Sequence, residues 1–129
     1  MDQLYQESTR LSFATINKLS HNIGEVLVDK NIEIDLRHVE EFHKALFDIF
    51  GSSFGLLINK VHPYSYSFDS QFHITSPPQL KAIAVVSYSA STWAATKSLQ
   101  NIPPNRKKNI QTFWDRTEAF SWLTEELSY

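Results

Sequence analysis

Two short runs of exclusively apolar residues constrain the fold of this chain more than any other sequence feature. The runs are residues 54–58, Phe-Gly-Leu-Leu-Ile, and residues 82–86, Ala-Ile-Ala-Val-Val. A strand with one face in solvent alternates apolar and polar residues, whereas a strand that helices cover on both faces is apolar throughout. The two runs therefore predict buried strands of a largely parallel sheet.

The segments around these runs predict further strands and helices. Alternating apolar residues at 10–17 and 24–29 indicate two half-buried strands, and the turn-forming residues between them indicate a hairpin. Asp35 has the side chain of a helix N-cap, a stripe of apolar residues follows it, and Gly51 suits a left-handed C-terminal residue. The predicted helices are 36–50, a second from Ser89 or Ser91 to 102, and a third from 115, and residues 110–114 form a last strand.

The resulting order, β-β-α-β-(α)-β-α-β-α, predicts an α/β fold: a mixed sheet of four or five strands with helices packed on it. Ile32 and Ile34 either extend the second strand or form a short strand of their own. The length of 129 residues suits one domain, 1–129, which buries enough surface to fold without a metal or a disulfide. Residues 1–9 are a candidate for a loose N-terminal extension.

Composition excludes several classes of function. The chain has no cysteine, which removes disulfides, cysteine nucleophiles and thiolate-bound metals, and three glycines are too few for a glycine-rich phosphate loop. Twelve Lys and Arg against 14 Asp and Glu give a net charge of −2, so we expect no nucleic-acid partner. No apolar run is long enough to span a membrane, and the acidic residues 1–7 do not resemble a signal peptide. A cytoplasmic location is therefore expected.

The sequence also offers no catalytic constellation. It has no Gly-x-Ser-x-Gly motif around a serine nucleophile. His38 and His43 are five residues apart, not the four that place two metal ligands on one helix face. We therefore expect no catalytic residue, no metal, no cofactor and no enzymatic activity.

The segment that follows the first apolar run is the candidate for recognition. Open α/β sheets bind ligands at the carboxyl ends of their strands, and here that end leads into aromatic residues alternating with serines. Such side chains combine a large contact area with hydrogen bonding. The alternative is that the rings only cap the sheet and pack on neighbouring helices. The residues predicted to bind a partner or a ligand are His62, Tyr64, Tyr66, Phe68, Phe72 and His73.

Three segments carry a resemblance to a known family. They are residues 54–59 after the hairpin and helix, residues 80–86 (Leu-Lys-Ala-Ile-Ala-Val-Val), and residues 113–123, which begin Phe-Trp-Asp and end Trp-Leu. With this element order, the chain resembles the STAS-like family typified by the SpoIIAA anti-anti-sigma factor. More narrowly, it resembles the SpoIIAA-like proteins of uncharacterised bacterial families. The likeness spans residues 10–127.

The resemblance implies a non-enzymatic regulatory or protein-interaction module that contacts a protein partner or a second copy of itself. In anti-anti-sigma members a serine within Asp-Ser-Ser/Thr-Gly is phosphorylated, which makes Ser70, after Asp69, the candidate phosphosite. The Ser/Thr and Gly of that motif are absent here, and Asn59 stands where aspartate is common. The alternative function is binding of a small amphipathic or lipid-like ligand in a pocket roofed by the 62–73 loop.

Overall fold

The computed structural model describes residues 7–128. Its strands are β1 (Glu7–Arg10), β2 (Ala14–Ser20), β3 (Ile23–Val28), β4 (Glu33–Ile34), β5 (Phe54–Asn59), β6 (Ser65–Tyr66), β7 (Leu80–Val86) and β8 (Ile110–Phe113). Its helices are α1 (Leu36–Phe50), α2 (Ala90–Gln100), α3 (Pro103–Arg106) and α4 (Arg116–Glu126), and a 3-10 helix spans Asp69–Phe72.

The main sheet is mixed and has the strand order β1-β2-β3-β5-β7-β8. The first three strands are antiparallel, and β3, β5, β7 and β8 run parallel. The predicted α/β architecture is therefore confirmed. Strands β4 and β6 form a separate two-stranded parallel ladder, so Ile34 belongs to a short strand of its own.

The main sheet has six strands, not the four or five predicted. The residues taken as one strand at 10–17 form two, because the chain reverses at Leu11–Phe13, where the Leu11 N–H donates to the Ala14 carbonyl at 2.8 Å. Residues 7–9 pair with β2 and are not a loose extension. Residues 1–6 of that predicted extension lie outside the described residues.

Strands β5 and β7 are buried on both faces, as their apolar sequences predict. Leu56 and Ile83 pack in the core beneath α1, whereas Leu57 and Ala84 pack in the core beneath α4. The helices that form these layers begin at the predicted caps. Asp35 accepts hydrogen bonds from the N–H groups of the first turn of α1, and Gly51 ends that helix with a φ of 70°.

The carboxyl ends of the parallel strands lie along one edge of the sheet, and residues 60–74, the 60–74 segment, cross that edge after β5. The backbone anchors the segment: Asn31 N–H donates to Pro63 O at 2.7 Å, and Ser65 N–H donates to Ile32 O at 3.0 Å. At its far end, Ile74 O lies 3.0 Å from Nε2 of His43 on α1. The segment is thus held in a defined position over the sheet edge.

Candidate functional site

Lys60 is the first residue after β5 and the first of the 60–74 segment, and it packs against two tyrosines of that segment. Its N–H donates to Val86 O, and its half-buried side chain places Nζ 5.1 Å from the ring centroid of Tyr64 and 5.9 Å from that of Tyr66. The two tyrosine rings pack edge to face, 5.8 Å apart. Within residues 7–128, Lys60 has no ion pair. Removal from water lowers the Lys60 pKa from 10.5 to about 8.

The hydroxyl of Tyr64 is buried and has no hydrogen-bond partner in the described part of the chain. Burial, together with the neighbouring Tyr66, raises the pKa of Tyr64 well above 10. The phenol is therefore neutral, and the side chain of Tyr66 lies beside it. Because nearly all buried polar groups in proteins find a partner, this hydroxyl is an exception that needs an explanation.

Two spaces adjoin Lys60. An inner cavity of about 50 Å³ lies between the sheet, α1 and α2, with mainly apolar walls that include Ile58, Val85 and Leu99. An outer hollow of about 200 Å³ lies between the 60–74 segment and the first turns of α2. Lys60 is the residue common to the two linings, so its side chain lies between the inner cavity and the outer hollow.

The structure divides the predicted binding residues into two groups. Tyr64 and Tyr66 turn inwards and pack on Lys60. Phe68 turns outwards and is 73% exposed, with its ring 5.2 Å from that of the half-buried Phe72. The two histidines, His62 and His73, are exposed.

Ser70 has a structural contact. Its side chain is fully buried, and its hydroxyl lies 2.8 Å from Ile34 O and 3.0 Å from Ser67 O. It ties the 3-10 helix to β4, and in this conformation a kinase does not reach it. A phosphate here would meet two carbonyl oxygens in a buried position, which opposes the predicted phosphosite.

A second polar cluster lies on the α4 side of the same edge. Arg116 on α4 binds both carboxylate oxygens of Glu25, at 2.8 and 3.0 Å. Asn59 donates to Glu25 at 2.9 Å and accepts from the Tyr88 hydroxyl at 2.7 Å. Burial opposes ionisation of Glu25, but the hydrogen bonds from Arg116 and Asn59 outweigh it and lower the Glu25 pKa.

Within this cluster the charges of Glu25 and Arg116 neutralise each other, and the hydrogen bond to Glu25 explains why position 59 is an asparagine. An aspartate at position 59 would place a second carboxylate against the buried Glu25, whereas the Asn59 amide donates to it. The cluster joins β3, β5 and α4, and its role is to hold these elements together.

Sequence reasoning missed both Lys60 and the Glu25–Arg116 pair. The pair joins residues 91 positions apart, so no local pattern indicates it. Lys60 carried one available signal, since it is a lone charge at the junction of a buried strand and an aromatic segment.

Residues 7–128 contain no group of three or more His, Asp or Glu residues arranged to hold a metal ion. Within the same range, no helix has the length and apolar character needed to cross a membrane.

No protein-family model and no curated protein matches this chain. A solved structure does: an uncharacterised protein of the DUF3478 family from Shewanella loihica PV-4, described as having a SpoIIAA-like fold. The match covers 95% of this chain and 98% of that one, with a TM-score of 0.54 and 14% sequence identity. The fold is SpoIIAA-like.

The SpoIIAA-like fold agrees with the resemblance seen in the sequence. At 14% identity the likeness concerns the fold alone. Any role for the sheet edge must therefore be argued from the side chains that this chain places there, on its own SpoIIAA-like scaffold.

Proposed function

We propose that this protein is a non-enzymatic regulatory module that binds a protein partner, or a second copy of itself, through the outer face of the 60–74 segment. The observation that carries the proposal is Phe68, which is 73% exposed on a segment anchored to the sheet. A large aromatic side chain exposed in this way is typical of an interface anchor.

The anchoring of the segment supports the proposal. Binding through a mobile loop loses affinity to the ordering of that loop, whereas a preorganised loop avoids this loss. Here the ladder between β4 and β6, the Asn31–Pro63 hydrogen bond and the buried Ser70 hold the backbone beneath Phe68. Val61 and His62, on the same segment, are exposed as well.

The polar groups of this edge support a binding role over catalysis. The Ser70 hydroxyl lies against two backbone carbonyls, and the Glu25 carboxylate is bound by Arg116 and Asn59. Groups engaged in this way are not free to act as nucleophile or base. A cytoplasmic setting is part of the proposal, and the cysteine-free composition is compatible with it.

The size of the inner cavity bears on the alternative, a small amphipathic or lipid-like ligand beneath the segment. The cavity has about 50 Å³, whereas pockets for drug-sized ligands have roughly 300–1,000 Å³. A lipid chain does not fit this space. This difference in volume favours a protein partner over a lipid.

Site-specific photo-crosslinking tests the proposal. A benzophenone amino acid is placed at position 68 and, as a matched control, at position 121, which is exposed on α4. We expect a discrete adduct from position 68, identified by mass spectrometry as a dimer or one partner. Excess unlabelled wild-type protein should compete for that adduct, and the Phe68→Ala variant should not. Equal adducts from both positions, or equal competition by Phe68→Ala, would contradict the proposal.

A further inference from the structure

The Lys60 amine is a cation without an anion. In residues 7–128 it forms no ion pair, and withdrawal from water is what disfavours its charge. Proteins seldom hold a charged group away from water unless a partner neutralises it. A bound anion would supply the missing partner.

The groups around the outer hollow also favour an anion. The hollow is lined by Ser91 and Thr92, in the first turn of α2, which follows the N-cap Ser89. The N-terminus of a helix carries partial positive charge. On the opposite wall stands Tyr64, whose ring packs on Lys60.

The inner cavity limits the size and polarity of the group that is attached to the anion. Its walls are mainly apolar, so they suit a hydrocarbon group. Its volume of about 50 Å³ admits a chain of about three to five carbons, since one water-sized group needs about 10–15 Å³ of such a space. A chain in the cavity would pass beside Lys60, which lines both spaces.

We propose that Lys60 and Tyr64 form a binding site for a small monocarboxylate with a short alkyl chain. The carboxylate lies in the outer hollow beside the two side chains, and the alkyl chain enters the inner cavity. This site is separate from the proposed protein interface, because Phe68 lines neither space. Either proposal can fail while the other holds.

Titration of the ¹⁵N-labelled full-length chain with butyrate, followed by NMR, tests the site. We expect butyrate to shift the amide signals of residues 60, 64, 91 and 92. Butan-1-ol, which has the chain but no charge, should bind at least about tenfold more weakly, because it lacks the charge-assisted hydrogen bond. Within the series from acetate to butyrate, each methylene should tighten binding roughly fourfold. Octanoate should gain nothing over hexanoate, because the cavity is then full.

Variants locate the binding to this lysine. Lys60→Met keeps the side-chain length without the charge and should bind butyrate at least about tenfold more weakly. Lys107→Met removes an exposed lysine after α3 and should bind as the wild type does. The amide spectrum reports whether Lys60→Met is folded, and Lys60→Gln replaces it if it is not. Equal affinity for butan-1-ol, equal affinity in the Lys60 variants, or shifts confined to other residues would overturn the proposal.

Discussion

Replacing Tyr64 with phenylalanine should stabilise the protein, which is an uncommon result for a change at a buried group. The Tyr64 hydroxyl is buried and has no hydrogen-bond partner in residues 7–128. A buried polar group without a partner costs about 1–3 kcal/mol relative to its solvated state. Tyr64 as a whole is half-buried, so the lower end applies, and Tyr64→Phe should raise the free energy of unfolding by about 1 kcal/mol.

The same substitution at Tyr88 is the matched control and should act in the opposite direction. The Tyr88 hydroxyl donates to Asn59 Oδ1 at 2.7 Å, and Asn59 is buried. Tyr88→Phe removes this bond and leaves the acceptor unpaired, which should lower the free energy of unfolding by about 1 kcal/mol. The two variants then differ by about 2 kcal/mol, or by about 8 °C in Tm for a domain of this size.

Urea unfolding followed by circular dichroism measures both variants against the wild type. The slope of the free energy against urea should be unchanged, so that the midpoints alone report stability. A Tyr64→Phe variant destabilised as much as Tyr88→Phe would refute the reasoning, since it would mean that the Tyr64 hydroxyl has a partner. A stabilised Tyr64→Phe that also binds butyrate more weakly would indicate that the hydroxyl serves binding.

Two further changes test the contacts that hold the sheet edge. Arg116→Met should lower the free energy of unfolding at pH 7 by about 3 kcal/mol, because it leaves the buried Glu25 carboxylate without its cation. The lowered pKa of Glu25 stabilises the wild type above pH 4.5 and is lost as the pH falls below that value, so urea unfolding between pH 5 and 3 should show a smaller loss for Arg116→Met. Ser70→Glu should lower the thermal stability strongly, by about 3 kcal/mol or more, because it buries an unpaired charge, whereas the exposed Ser65→Glu should stay within about 0.5 kcal/mol. Equal stabilities for these two serine variants would contradict the structural role of Ser70.

The parts of the fold that sequence predicts are those determined by local chemistry. The uninterrupted apolar sequences of β5 and β7 predict that both faces of these strands are buried. Asp35 predicts the start of α1 because its side chain caps the first turn, and Gly51 predicts its end because glycine adopts the left-handed conformation. Each of these signals lies within a few residues of the element that it determines.

The parts that sequence did not predict depend on distant contacts. Strands β4 and β6 are two residues long, and they form by pairing with each other although the paired residues are 32 positions apart. The reversal at Leu11–Phe13 follows from the burial of Phe13 in the core, which periodicity alone does not distinguish from a continuous strand.

For the candidate site, the sequence predicts a segment at the carboxyl end of a central strand but does not show which of its side chains face inwards. Which rings face inwards is decided by the anchoring of the segment, and this anchoring turns Tyr64 and Tyr66 onto Lys60 while leaving Phe68 exposed.

The pKa of Lys60 tests most directly whether the 60–74 segment closes over this edge as the structure has it. The Cε–Hε signal of Lys60, assigned by its loss in Lys60→Arg, is followed by NMR through a pH titration of the full-length protein. We expect a pKa of about 8 for Lys60, because the two tyrosines and the segment withdraw the amine from water. A pKa at the ordinary 10.5 would mean that the amine is solvated, and it would contradict the site as described.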